Sequence, residues 1–225
     1  MNQLYLLRHG ENKANLTKEF SYKLIDYPLT EKGRLQAHQT AQFLQGKDIQ
    51  AIYSSPLKRA CQTAEIIGET LNLSPTVSEA FRELNVGDLE KSPPTMETWN
   101  AYKTIITAWF KGNRNASFPN GENYHQTWSR YQQGLFEAVQ THPDQRLLIV
   151  GHGGIFTFTL PDLCPVVDFQ NLIKMDNHNA SLTRIDVTIE NDRLIGTMID
   201  WANISHLSGK AAELIPGFPQ KGELK

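Results

Sequence analysis

Cysteine is scarce: the 225 residues hold only Cys61 and Cys164, and neither belongs to a C-x-x-C pair. A disulfide framework, dithiol redox exchange and a thiolate zinc site are therefore not where the chemistry lies. Long hydrophobic runs are missing too. No stretch approaches the ~18 consecutive apolar residues of a membrane span, and the N-terminus lacks a basic segment followed by an apolar one of signal-peptide length. Lys and Arg number 22 against 24 Asp and Glu, a formal net charge of −2, with no basic block. Neither nucleic acid nor a membrane surface is expected as a partner. The five N-x-S/T sequons, at Asn15, Asn72, Asn115, Asn179 and Asn203, read as chance in a chain expected in the cytoplasm. No H-E-x-x-H, no G-x-x-x-x-G-K-[ST] and no G-x-S-x-G occurs, which disfavours a helical zinc site, a nucleotide phosphate loop and a serine hydrolase.

What is present is an ordinary globular composition, 40% hydrophobic, of a length that suits one catalytic domain over residues 1–225. Leu4, Tyr5, Leu6 and Leu7 form an apolar run suited to a strand buried on both faces. Thr30 caps a helix predicted to run to about Gln45, with Leu35, Phe43 and Leu44 among its apolar positions. A second strand is expected over residues 50–54, and the beat of Ala60, Cys61, Ala64, Ile67, Gly68 and Leu71 predicts an amphipathic helix from Leu57. Residues 86–121 are irregular apart from Trp99, Tyr102, Ile105, Ile106 and Trp109 at helical spacing, and read as an insertion forming a lid. A helix follows over residues 124–139, a strand over 146–150, and a hairpin over 181–189 and 194–200. The tail from Ser208 has no period. Strands alternating with helices predict a three-layer α/β/α sandwich with a mostly parallel central sheet.

Two of the buried-looking strands end in a histidine flanked by glycine: Leu7-Arg8-His9-Gly10 and Val150-Gly151-His152-Gly153. The second strand leads into Ser54-Ser55-Pro56-Leu57-Lys58-Arg59, with Arg59 in the first turn of its helix. A parallel sheet brings such ends to one edge, where two arginines and two histidines call for an anion.

The ordered set Arg8-His9-Gly10-Glu11, Asn15, Asp26-Tyr27-Pro28-Leu29-Thr30, Ser54-Ser55-Pro56-Leu57-Lys58-Arg59-Ala60, Arg82-Glu83 and Gly151-His152-Gly153-Gly154 resembles the histidine phosphatase superfamily, also called phosphoglycerate mutase-like. The likeness extends from residue 4 to about 207. It implies that His9 is a nucleophile carrying a phosphoryl group on an imidazole nitrogen. It implies further that Arg8, Arg59 and His152 hold the phosphoryl oxygens, that Asn15 and the Gly153 amide add neutral donors, and that Glu83 serves as acid and then base. Glu79 and Glu90 are alternatives for the last role. Arg82 reads as structural, and His178 and His206 are further candidates for the pocket wall. No metal and no cofactor is implied. The expected partner is a small phosphorylated metabolite, and a homodimer is left open.

Within that family, the mutases carry a Trp- and Asn-containing stretch after the first motif and a basic, tyrosine-containing one after the catalytic Glu. Leu16-Thr17-Lys18-Glu19-Phe20 and Leu84-Asn85-Val86-Gly87-Asp88 stand there instead. The leading expectation is a phosphomonoesterase of the phosphatase branch, although its usual Trp-Glu-Gly is replaced by Leu89-Glu90-Lys91. A cofactor-dependent mutase and a non-catalytic phospho-ligand-binding module are the alternatives. Lys103, Lys111 and Arg114 are candidates for a substrate carboxylate.

Overall fold

The computed structural model describes residues 1–168, 172, 175–219, 222 and 224. Its strands are β1 (Asn2–Arg8), β2 (Ala51–Ser54), β3 (Thr76–Val77), β4 (Arg146–Gly151), β5 (Leu182–Glu190) and β6 (Arg193–Asn203). They form one sheet in the order β3-β2-β4-β1-β5-β6. The pairs β3/β2, β2/β4 and β4/β1 are parallel, while β1/β5 and the hairpin β5/β6 are antiparallel. The helices are α1 (Lys13–Thr17), α2 (Glu31–Leu44), α3 (Lys58–Leu71), α4 (Met96–Phe110), α5 (Tyr124–Thr141) and α6 (Gly153–Leu163).

The two-residue period of the central strands builds the layers. Tyr5 and Leu7 of β1 and Leu148 and Val150 of β4 enter one apolar cluster with Ala41 of α2 and Ala60, Ala64 and Ile67 of α3. Leu4, Leu6, Leu147 and Ile149 point the other way, into a larger cluster with residues of α4, α5 and α6. Both faces are covered, which is why these strands read as unbroken apolar runs. The expected α/β sandwich is the observed fold.

Helix α2 starts where expected, the Thr30 hydroxyl accepting from the Gly33 amide at 3.0 Å. Its buried face differs from expectation. Leu35 and Phe43 are each 37% exposed, and the inward residues are Gly33, Gln36, Ala37, Thr40, Ala41 and Leu44. Ala37 and Ala41 pack with α3 residues and Gly33 lies against the Glu11 backbone, so close approach outranks hydrophobicity on this face. Strand β3 gave no sequence signal, because two residues cannot display a period. Helix α6 also went unpredicted: Ile155, Phe156, Phe158, Leu160 and Leu163 are all buried and Pro161 lies within it, so it shows neither an amphipathic stripe nor an uninterrupted helical sequence. Among the described residues of the tail from Ser208, the one regular element is a 3-10 turn, Gly209–Ala212.

Register decides where the chemistry falls. Arg8 lies opposite Gly151 and Ser54 opposite Val150. The ladder continues one step beyond the strands, His9 donating its amide to the Gly151 carbonyl at 3.0 Å and Ser55 to that of Val150 at 2.9 Å. His9, Ser55 and His152 thus leave the sheet side by side at its carboxyl edge, where α/β sheets place ligands.

Candidate active site

A cavity of about 690 Å³ opens at that edge. Arg8, His9, Asn15, Arg59, Glu83 and Gly153 all line its floor. His9 is buried, its Nδ1 2.7 Å from the Gly10 carbonyl and its Nε2 3.0 Å from the Arg59 Nε. An arginine Nε–H can only donate, so Nε2 is the acceptor and Nδ1 carries the proton. The nitrogen with the lone pair therefore points at the cationic cluster. Burial first, and then the charges of Arg59 and Arg8, hold the His9 pKa well below the usual histidine value of 6.5. His9 is neutral at neutral pH, as a nucleophile requires.

Arg59 makes its remaining bonds through the two terminal nitrogens. Nη1 donates to the Ser21 hydroxyl at 2.8 Å, and Nη2 to the Ser21 carbonyl at 2.8 Å and to His152 Nδ1 at 3.0 Å. Arg8 donates from Nη1 to the Asn177 carbonyl, while its buried Nε has no partner among the described residues. Neither guanidinium has a carboxylate at ion-pair distance among those residues. Burial pushes both pKa values down to about 10, which leaves both cationic at neutral pH. Two buried cations without anionic partners are expensive to hold in an empty site.

His152 sits one layer behind. It is fully buried and is not among the residues lining the cavity. Since Nδ1 accepts from Arg59, its Nε2 donates to the Ser55 hydroxyl at 2.7 Å. Both ring nitrogens are thereby engaged in bracing Arg59 against the end of β2.

Of the three candidate carboxylates, Glu83 alone reaches the cavity. Its two oxygens accept from the Gly154 amide at 3.0 Å and the Ile155 amide at 2.8 Å, the first turn of α6. A methyl group on Gly154 would lie 2.7 Å from Glu83 Oε1, so glycine is what lets the carboxylate approach the helix. Glu79 is instead paired with Arg82 through both carboxylate oxygens, at 2.6 and 2.7 Å, near the surface. Arg82 also donates from Nη1 to the Tyr22 carbonyl at 3.0 Å and does not line the cavity. Glu90 is buried, and its Oε1 collects the amides of Tyr22, Lys23, Leu24 and Ile25 at 2.6 to 3.1 Å.

Asn15 Oδ1 accepts from the Asn12 amide at 3.0 Å and from Asn179 Nδ2 at 3.1 Å, and its own side-chain N–H groups have no bond among the described residues. Gly153 begins α6 beside Arg8, and its N–H has no bond to another described residue. His206 lies elsewhere, stacked on Phe43 and hydrogen-bonded to Thr40, and His178 is not in the cavity wall. Lys103 and Lys111 line the rim, whereas Arg114 pairs with Asp162.

Sequence reasoning gave no role to Ser21 or Asn179, and weighed Glu90 only as an alternative acid–base, whereas it is the Tyr22–Ile25 amides that Glu90 engages. Asn179 Nδ2 also donates to the His9 carbonyl at 3.1 Å, bridging the His9 backbone to Asn15. Asp26, seen only as part of a motif, accepts from the Lys58 amide at 2.9 Å and so caps α3 just ahead of Arg59.

The profile of the histidine phosphatase superfamily (branch 1) matches residues 4–197, most of the chain. The chain belongs to the histidine phosphatase superfamily. Among histidine phosphatase relatives, the "Uncharacterized phosphatase PhoE" of Bacillus subtilis is 32% identical over 212 residues, 93% of this chain and 98% of that protein. The "Probable phosphoglycerate mutase GpmB" of Yersinia pestis is 33% identical over 194 residues, 83% and 85% of the two chains. A mycobacterial glucosyl-3-phosphoglycerate phosphatase solved with vanadate superimposes with a TM-score of 0.74 at 25% identity, covering 89% of this chain and 99% of that one. This histidine phosphatase is therefore an enzyme of phosphatase or mutase type.

Proposed function

We propose that the chain is a metal-independent phosphomonoesterase that releases inorganic phosphate from a small phosphorylated metabolite through a phosphohistidine on His9. The observation that carries this reading is the pair of buried guanidiniums, Arg8 and Arg59, left without carboxylate partners around a neutral imidazole. A phosphoryl group supplies the missing negative charge, and two arginine forks do the electrostatic work often given to a metal ion.

In the first step His9 Nε2 attacks phosphorus, an N–P bond forms as the ester P–O bond breaks, and Glu83 gives its proton to the departing alcohol oxygen. In the second, a water oxygen attacks phosphorus, the N–P bond breaks, and the proton of that water returns to Glu83. Arg59 exchanges its bond to His9 Nε2 for a phosphoryl oxygen as the ester enters. Arg8, Asn15 and the Gly153 amide take the other oxygens, and His152 acts by holding Arg59 in place.

The GpmB relative favours a second reading, a mutase that returns the phosphoryl group to the same sugar acid. Incubation with 3-phosphoglycerate in the presence of EDTA separates the two. The phosphatase reading expects free phosphate to appear faster than the 2-isomer and EDTA to have no effect. Faster isomer formation would establish the mutase instead, and loss of activity in EDTA would refute metal independence.

A further inference from the structure

Beyond the phosphoryl site the cavity changes character. Phe20, Trp99, Tyr102, Ile106, Phe158 and Phe218 line it in an aromatic and aliphatic cluster, with Lys103, Thr107 and Lys111 also in the lining. The six side chains of the cluster carry one hydroxyl, on Tyr102, and one indole N–H, which Trp99 already donates to the Lys18 carbonyl at 3.0 Å. Phe218 comes from the far end of the chain. Residues 215–218 all line the cavity and are pinned there: Lys18 Nζ donates to the Pro216 carbonyl at 2.7 Å, the Phe218 ring meets Trp99 edge to face at 5.6 Å, and Lys103 Nζ lies 5.5 Å from the centre of the same ring. Two of the lysines near the mouth thus hold the C-terminal segment in the wall.

Resting on the phosphomonoesterase reading, we propose that residues 215–218 and helix α4 form a subsite for the alcohol part of the substrate, and that this part is an apolar, ring-bearing alcohol. A polyhydroxy alcohol would lose its hydration against these rings and alkyl chains without gaining matched hydrogen bonds, and of the lysines that also line the cavity Lys18 is engaged by the Pro216 carbonyl and Lys103 by the Phe218 ring. A ring gains edge and face contacts and buries its own apolar surface. At about 690 Å³ the cavity lies within the ~300–1,000 Å³ range of sites that enclose ligands far larger than a three-carbon phosphate.

The test uses ethyl, hexyl and 2-phenylethyl phosphate, primary alkyl esters whose leaving groups are chemically alike, so that differences in rate report the subsite. The proposal expects kcat/KM to rise about tenfold or more from the ethyl to the 2-phenylethyl ester, the difference that burying a phenyl ring supports. It also expects Phe218→Ala to shrink that ratio severalfold. Calorimetric binding of 2-phenylethylphosphonate against ethylphosphonate reads the same subsite without turnover and should show the same preference. Hydrolysis of all three esters at equal kcat/KM overturns the proposal and leaves the phosphatase reading standing. Ring-selective phosphonate binding with no hydrolysis of any ester supports the subsite and refutes the phosphatase reading. Equal binding of the two phosphonates overturns the proposal.

Discussion

A single carboxylate oxygen, Glu90 Oε1, accepts four consecutive amides, from Tyr22 to Ile25, and so fixes the turn in which Ser21 presents its hydroxyl and carbonyl to Arg59. On the proposed mechanism Glu90 positions Arg59, and through it His9, by way of this turn. Glu90→Ala orphans those amides, each costing roughly 1–3 kcal/mol if left unpaired, so the turn must rearrange and release Ser21. The expected loss in kcat/KM is on the order of 10²-fold, the scale of a misplaced catalytic group, with Glu90→Gln, which keeps an acceptor oxygen, recovering most of it. A purely structural role would lower thermal stability equally in both variants without separating their rates. Sequence reading brought Arg8, His9, Arg59 and His152 together because their motifs stand at strand and helix ends, and it reached Glu83 only through the family resemblance. It did not reach Ser21, and it took Glu90 only for a possible acid–base: Glu90 acts through backbone amides 65 to 68 positions away, and backbone partners leave no mark in residue type.

Elements were legible where one physical signal dominated. The double-faced burial of β1 and β4 and the apolar beat of α3 were plain in the sequence, and these are the elements that deliver Arg8, His9, Arg59 and His152. Helix α6 was not, because a helix with no exposed face shows no polar stripe to set its phase, yet its second and third amides, of Gly154 and Ile155, orient Glu83. The aromatic stripe of residues 86–121 shows a different ambiguity. Trp99, Tyr102 and Ile106 line the cavity while Trp109, one turn further, packs on Phe118 and Tyr124 and donates to the Ala116 carbonyl at 2.6 Å. One helical face thus serves both core and cavity, a division set by where α4 crosses the sheet edge and not by residue type. The role of Phe218 was equally hidden, since an aperiodic tail says nothing about where it docks.

At the scale of the whole molecule, a formal charge of −2 conceals a local excess of positive charge at the edge of the sheet. That arrangement has a consequence for stability. His9 and His152 are held neutral in the fold by burial and by Arg59, with pKa values well below 6.5, whereas the unfolded chain takes up these protons near 6.5. Below that pH the unfolded state binds more protons than the native one, so stability falls as pH falls. Urea midpoints between about pH 7 and pH 5 should drop more steeply for the wild type than for His9→Ala, and equal slopes would contradict a neutral buried His9. The central claim, that His9 carries the phosphoryl group, is tested most directly by mass spectrometry of enzyme quenched in alkali during turnover of p-nitrophenyl phosphate. The account predicts one added phosphoryl group on the peptide containing His9, absent from His9→Ala. A phosphoryl group found on another residue, or turnover by wild-type enzyme with none trapped on any histidine, would contradict it.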